Sequence, residues 1–431
     1  MIRRRVVVTG MGVVAPNAHG LDAYAQALRE GRSGIRHLPS LRECRFGCQV
    51  GGIPVGIDAL APSYLSPEAL YAMNSQMLYA AIAGIDCWRD AGFEVPAWDT
   101  PNVDWDTGAW IGTGAGGAES LQTSSLEAKV RAGQIRKLGG AIVEQTMMSS
   151  ASAKLGGLLA LGGHVSTNST ACATGTEAVV ESYYHIATGR GERMLAGGSE
   201  GATEASAPFA WAGFDAMRVT ARNHNESPPS ASRPMSATAS GLVPAGGAGV
   251  LMLESLDSAR RRGVRIYAEI LGAHVNCGGQ RGGGSMTAAN PRGVIRCIRA
   301  AVEGAGISPR EIDAINGHLT ATVFDPGEIA AWSQALEREG DDFPWINATK
   351  SIVGHALGAS GALECIAAVL QLHHGFLHPS LNCEDIHPAL EAIAHRIPQR
   401  ALPSDARIMA KASFGFGDVN ACVLFRKGSE A

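Results

Sequence analysis

The sequence predicts an α/β protein built from two related halves, and two observations carry that prediction. Short apolar runs rich in β-branched residues alternate with longer helical segments. One turn-helix pattern also occurs twice, at 175–189 (GTEAVVESYYHIATG) and 361–375 (GALECIAAVLQLHHG), with equal length, an apolar interior and glycine at both ends. Each copy follows a stretch of small residues, STNSTACATG in the first and NATKSIVGHALGASG in the second. Gly189 and Gly375 are expected to cap the two helices.

Taken in order, the strand-like runs are 5–9, 108–112, 250–254, 268–271, 408–410 and 421–425, and the clearest helices are 75–91 and 291–305. The start, MIRRRVVVTGMGVVAP, sets basic residues before an apolar run as a secretory leader does. Glycines interrupt it and valines dominate it, so it reads as an N-terminal strand. The basic, turn-like 258–266 (SARRRGVRI) reads as the seam between the halves, giving units 1–256 and 257–431. Residues 115–165 and 205–245 are rich in Gly, Ala, Ser and Pro without clear periodicity and read as insertions that cover the site or build a subunit interface.

Composition narrows the class. A chain of 431 residues with 45% hydrophobic and 18% charged content is globular and rich in core. A formal charge of −4 gives no global attraction to nucleic acid. No stretch approaches the roughly 18 apolar residues of a membrane span. Nine cysteines without a CxxC pair fit reduced thiols and a cytoplasmic location.

Cys172 follows a Thr/Ser-rich strand end and directly precedes a helix. The positive end of a helix dipole favours a thiolate, and such placement can bring a cysteine pKa from about 8.5 to about 3.5–7.5. Cys172 is therefore read as a nucleophile. His318, in INGHLTAT, and His355, in the second turn-helix unit, also stand in small-residue loops. Neutral imidazoles there can donate to an oxygen that gains negative charge. Lys350 is placed to orient His355 or hold it neutral. In SFGFGDVN (413–420), a glycine-aromatic turn after a strand, Phe414 and Phe416 read as an apolar gate with a backbone N–H for an oxyanion.

Two further patterns are read without chemistry. GTGAGG (112–117) satisfies GxGxxG, but no strand ending in a ribose-binding acid follows. His373, His374, His378, Cys383 and His387 cluster in sequence at spacings that match no zinc pattern, so no metal is expected.

The segments RRVVVTGMGVVAP, IGTGAGG, TACATG, AGGSEGA, AMRVTARN, ASRP, GHLTAT, NATKSIVGHALGASGALE and SFGFG together span nearly the whole chain. They resemble the elongating β-ketoacyl-acyl carrier protein synthases of the thiolase superfamily. The resemblance implies a thiolase-like five-layered αβαβα fold with two pseudo-symmetric halves, and a dimer, either a homodimer or a heterodimer with a chain-length-factor subunit. It implies that Cys172 accepts an acyl chain from a thioester, and that His318 and His355 bind a malonyl thioester and stabilise the enolate left by CO2. By the same resemblance, the N–H groups of Cys172 and Phe416 form an oxyanion hole, and Thr320 and Thr322 contact a phosphopantetheine arm. Lys350 would pair with Glu328, and Glu364 would be an interior structural carboxylate. Substrates would arrive on the phosphopantetheine of an acyl carrier protein, with no other cofactor.

Departures from the family pattern are also legible. Leu319 replaces the usual glycine after His318, and the acidic pair Asp325 and Glu328 comes one residue early. Residues 235–249, MSATASGLVPAGGAG, lack the usual charges and read as interface. The helix expected at 66–80 offers no cation to a carrier protein, which leaves Arg218 and Arg222 as the matching basic positions. These departures favour a specialised polyene or polyketide-like pathway over ordinary fatty-acid elongation. The competing readings are a catalytically silent chain-length-factor subunit, which would lack the nucleophilic cysteine, and a thiolase, which would carry a second reactive cysteine where this chain has SFGFGD.

Overall fold

A computed structural model describes residues 4–428. Its first strand, β1 (Val6–Ala15), is buried along its whole length and runs well past the expected 5–9. The glycines that seem to interrupt it are what let it continue. Helix α1 (Ser75–Asp90) crosses so close that a Cβ on Gly12 would fall 1.9 Å from the carbonyl oxygen of Ala83.

Nine further strands build the main sheet: β2 (Thr107–Gly112), β3 (Val165–Ser166), β4 (Arg193–Glu200), β5 (Gly247–Ser255), β6 (Ala268–Cys277), β7 (Ala314–Asn316), β8 (Trp345–Asn347), β9 (Ile408–Gly415) and β10 (Val419–Lys427). A short strand, Ala18–His19, folds back on β1. Across the sheet the order is β8-β7-β9-β10-β6-β1-β5-β4-β2-β3. In each set of five, the third strand is outermost, followed by the second, fourth, fifth and first. The directions repeat as well, because β2 is parallel to β3 and β4 as β7 is to β8 and β9, and the remaining pairs are antiparallel. The two fives meet where β1 pairs antiparallel with β6.

Helices complete five layers. The central layer holds α2 (Thr174–Ala187) and, after α3 (Pro291–Ala305) and α4 (Asp325–Leu336), α5 (Ser360–His374). α1 covers β1, β4 and β5 on one outside face, and α3 covers β6 and β10 on the other. α2 and α5 are the two turn-helix units of the sequence, and their leading glycines have a packing reason. A Cβ on Gly175 would sit 2.6 Å from the Ala362 nitrogen, and one on Gly361 would sit 2.4 Å from that of Thr176, so the helices touch backbone to backbone. Gly375 caps α5 in the left-handed conformation, φ 67. Gly189 is also left-handed, but it lies one residue beyond the cap position, Thr188.

The unperiodic stretch before Cys172 contains four short α-helices between Ala118 and Leu158. Two expectations are corrected. The 66–80 helix is two helices, Pro67–Tyr71 and α1, because the Asn74 side chain accepts the Met77 N–H and starts a new helix. Residues 235–249 are largely interior. They lack charge because they are buried, and they end as the start of β5. Among the described residues, no helix is long and apolar enough to cross a membrane.

Candidate active site

Cys172 lies in a single turn, Ala171–Ala173, that runs directly into α2. Ala171 is left-handed there, with φ 50. The matching turn of the second half, Leu357–Ala359, leads into α5, and its first residue, Leu357, is left-handed too, with φ 46. Neither residue is glycine, so both turns hold strained backbone, a feature that clusters at functional sites. The first turn presents a thiol. The second follows His355 and fixes its ring.

The thiol of Cys172 and one ring nitrogen each of His318 and His355 lie within 4.8 Å of one another, and all three residues are buried. The imidazoles stand edge to face, with centroids 5.7 Å apart. Their hydrogen bonds assign the protons. His355 Nδ1 accepts from the Leu357 N–H at 3.1 Å, with Ser360 Oγ at 3.0 Å. His318 Nδ1 faces the Lys350 ammonium at 3.3 Å. Burial and the nearby lysines push both imidazoles well below the usual histidine pKa, so both are neutral. With each Nδ1 facing a donor, each proton sits on Nε2, and each ring offers one N–H to the site.

Cys172 differs from its sequence expectation. Burial pushes its thiol up to about 11. Lys350 and the backbone N–H groups of Phe416 and Cys172 favour the thiolate without outweighing burial. The resting group is therefore a thiol.

Lys350 also departs from expectation. Its ammonium donates to the His318 carbonyl oxygen at 2.7 Å and pairs with Glu364 Oε1 at 2.5 Å rather than with Glu328. Its side chain thus orients His318, while His355 takes its orientation from Leu357 and Ser360. Glu364 holds a second buried cation, Lys411, at 2.9 Å on Oε2. Glu328 instead accepts the backbone N–H groups of His318 and Leu319, both at 2.7 Å. Asp325 accepts those of Thr320, Ala321, Thr322 and Met235. Leu319 and Ala321 are left-handed, with φ 29 and 62, so the two carboxylates hold a strained loop directly after the histidine. Burial pushes Asp325 up to about 6 and Glu328 up to about 7.

A cavity of about 250 Å³ opens beside these groups, lined by Cys172, both histidines, Thr320, Thr322, Phe414 and Phe416 together with apolar residues. Phe414 stands edge-on to His318, with centroids 5.8 Å apart. Phe416 lies in the turn between β9 and β10, where the sequence places a turn. Arg218 and Arg222 are exposed; Arg222 reaches Asp215 at 3.5 Å, and Arg218 sits between two cavity-lining residues, Met217 and Val219. The 235–249 segment braces the site from within, since the Val243 carbonyl accepts the His355 N–H at 2.7 Å and Ala245 donates to the His355 carbonyl at 2.9 Å.

The arrangement supplies a thiol, two backbone N–H groups directed at it and two imidazole N–H donors facing one space. It is less suited to a metal. A metal on either Nε2 would require the proton on Nδ1, where each ring already faces a donor. Sequence reasoning missed Lys411 and Glu200. Glu200 is buried and accepts the N–H groups of Gly114, Ala115 and Gly358 at 2.8, 3.0 and 2.9 Å. The GTGAGG loop does hold an anion, but it is the protein's own carboxylate. The signal for Lys411 was a lone charge inside the otherwise uncharged strand IMAKASFG; for Glu200 it was a carboxylate ending RMLAGGSE, whose one other charge, Arg193, is at the far end.

Known proteins share this organisation. The sequence family described as beta-ketoacyl synthase, N-terminal domain, matches residues 3–259, and its C-terminal domain matches 267–384. The chain is similar to 3-oxoacyl-[acyl-carrier-protein] synthase 2 of Vibrio harveyi, 32% identical over 438 residues and covering 100% of both proteins. It is similar to the chloroplastic synthase I of Arabidopsis thaliana, 33% identical over 98% of this chain and 86% of the relative. Among solved structures, the ishigamide ketosynthase/chain length factor superposes with a TM-score of 0.87 at 29% identity, covering 99% of this chain and 100% of that one. A type II polyketide ketosynthase complex with its acyl-carrier protein, AntDE:AntF, reaches 0.86 at 27% identity over 99% and 100%. With the repeated strand order, the paired helix-entry turns and the thiol set against two imidazoles, these matches establish that the chain belongs to the beta-ketoacyl synthase family and has its thiolase-like fold.

Proposed function

We propose that this chain is a ketosynthase, an acyltransferase that joins an acyl thioester to malonyl-acyl carrier protein by decarboxylative Claisen condensation. The observation that carries this reading is the convergence of the Cys172 thiol with two imidazoles whose protons both sit on Nε2.

In the first half-reaction Cys172 sulfur attacks the thioester carbonyl, its proton leaves with the departing thiol, and the N–H groups of Cys172 and Phe416 receive the oxyanion. The malonyl thioester then enters along Thr320 and Thr322, past Phe414 and Phe416, and its carbonyl oxygen accepts from His318 and His355. As the bond to the carboxylate breaks, its electron pair passes into the enolate, whose negative oxygen lies against those two donors. The carbanion attacks the acyl-Cys172 carbonyl, the sulfur leaves as a thiolate that takes a proton from water to restore the thiol, and the chain is two carbons longer. Lys350 orients His318, and Glu328 and Glu364 hold the loop and the lysine.

The carrier's acidic surface meets Arg218 and Arg222 at the cavity mouth. The halves divide at 1–256 and 257–431. The chain works in the cytoplasm as a dimer with itself or with a ketosynthase-like chain-length-factor subunit, and its edge strand β3 carries a half-exposed Val165 for that contact. A polyene or polyketide-type substrate is favoured by Leu319 and by the absence of a basic helix at 66–80.

The test is incubation with a panel of acyl-carrier thioesters and malonyl-carrier protein. Release of CO2 with a 3-ketoacyl product two carbons longer supports the reading. No condensation with any acyl donor, alongside an unacylated Cys172, would support a silent subunit instead.

A further inference from the structure

The active-site cluster contains one charge more than the mechanism above uses. Lys411, on β9, is fully buried, as are Lys350 and Glu364. Glu364 lies between them, with Lys350 Nζ at 2.5 Å from Oε1 and Lys411 Nζ at 2.9 Å from Oε2. The second contact is an ion pair rather than an aligned hydrogen bond, and Lys411 also donates to the carbonyl oxygen of Ala412. Glu328 lies in the electrostatic field of both lysines but pairs with neither, and burial raises its carboxyl to about 7, so near neutral pH it offsets the second ammonium only in part. A buried cation without a partner of its own is costly unless another interaction offsets it.

We propose that Lys411 is a positioning residue of the reaction centre: by occupying Glu364 Oε2 it keeps Oε1 for Lys350, which pins the His318 proton on Nε2. The inference deepens the ketosynthase reading and rests on it for its purpose, though not for its test. The geometry runs in one line, from Lys411 through Glu364 to Lys350 and on to the Nδ1 edge and carbonyl of His318.

The groups facing the two imidazoles are few. Lys350 and Lys411 oppose imidazole protonation in both, and each histidine faces the other and the Cys172 thiol. Glu328 accepts the His318 backbone N–H, and Glu200 accepts that of Gly358, just past His355. Cys365 and Cys422 also lie in the field of Lys411. The positive field of the two lysines therefore has a use when an enolate forms at the imidazole donors, because the negative oxygen is then a further counter-charge. An imidazolium in the resting state would place its extra proton on Nδ1, against the Lys350 ammonium or the Leu357 N–H, and would turn the ring out of line.

The experiment uses the full chain labelled with 15N-histidine, in wild type, K411M and K411Q, with His318 and His355 signals assigned by H318N and H355N. Glutamine keeps a donor for the buried oxygens if methionine prevents folding. In wild type both rings are expected as Nε2–H tautomers that resist protonation well below the usual histidine pKa. In either lysine variant that folds, their titration should move up by about one pH unit. The acid limb of malonyl-carrier decarboxylation should follow, with kcat falling about tenfold and KM unchanged. A purely structural lysine would lower the melting temperature and leave titration and limb in place, and that result overturns the proposal. An Nδ1–H tautomer of His318 in wild type overturns it without any variant. A wild-type chain that releases no CO2 would instead count against the ketosynthase reading, since the ring signals report independently of turnover.

Discussion

Cys172, His318 and His355 were legible as separate residues, because each is a reactive side chain among small neighbours in a loop. Their protonation was not legible, because it depends on partners distant in sequence. Burial overrides the helix terminus at Cys172, and the Lys350 pairing falls on Glu364, one helix turn into α5, rather than on Glu328. The rate prediction at this scale is that His318→Ala or His355→Ala loses decarboxylation of malonyl-carrier protein by about 10²–10³, the usual loss for one oxyanion donor. Measured CO2 release checks it, and wild-type rates in both variants would contradict the donor roles.

Glu328 folds with its carboxyl raised to about 7, so its contribution to stability is greatest below its unfolded value near 4.3 and declines as pH rises through 7. The histidines are depressed, so theirs is present above about 6.5 and lost as pH falls. The two trends oppose each other between about pH 5 and 7. Glu328→Gln removes the first, and unfolding free energy by urea titration should then rise with pH more steeply than in wild type. An unchanged slope would mean that the carboxyl titrates normally.

At the scale of elements, the duplicated turn-helix unit was the most reliable signal, since an apolar segment between glycines is a local pattern. The reason for the leading glycines lay in the other half of the chain, where α2 and α5 touch at Gly175 and Gly361. Likewise 235–249 looked like an interface because it lacks charge, and only its pairing with His355 shows it as an internal brace. Gly361→Ala forces a methyl group against the Thr176 backbone nitrogen, and overpacking of this kind costs about 1–3 kcal/mol. Thermal melting should show a loss of several degrees, whereas Gly304→Ala, where a Cβ meets nothing within 4 Å, should show none.

For the whole molecule, alternating strands and helices predicted the class, and the shared strand order of the two halves appears only once all ten strands are paired. β3 ends the sheet on this side, and its Val165 is exposed. Val165→Asp should therefore shift the chain toward monomer in light scattering at micromolar concentration. If Arg218 and Arg222 receive the carrier, Arg218→Glu with Arg222→Glu should raise KM for a carrier-bound substrate and spare acylation by a small thioester, because exposed charges act mainly on encounter.

Intact-mass spectrometry after incubation with an acyl-carrier thioester tests directly whether the Cys172 sulfur carries the growing chain. Wild type should gain the mass of one acyl group and Cys172→Ala should gain none; an adduct of the same mass on the variant would place the nucleophile elsewhere.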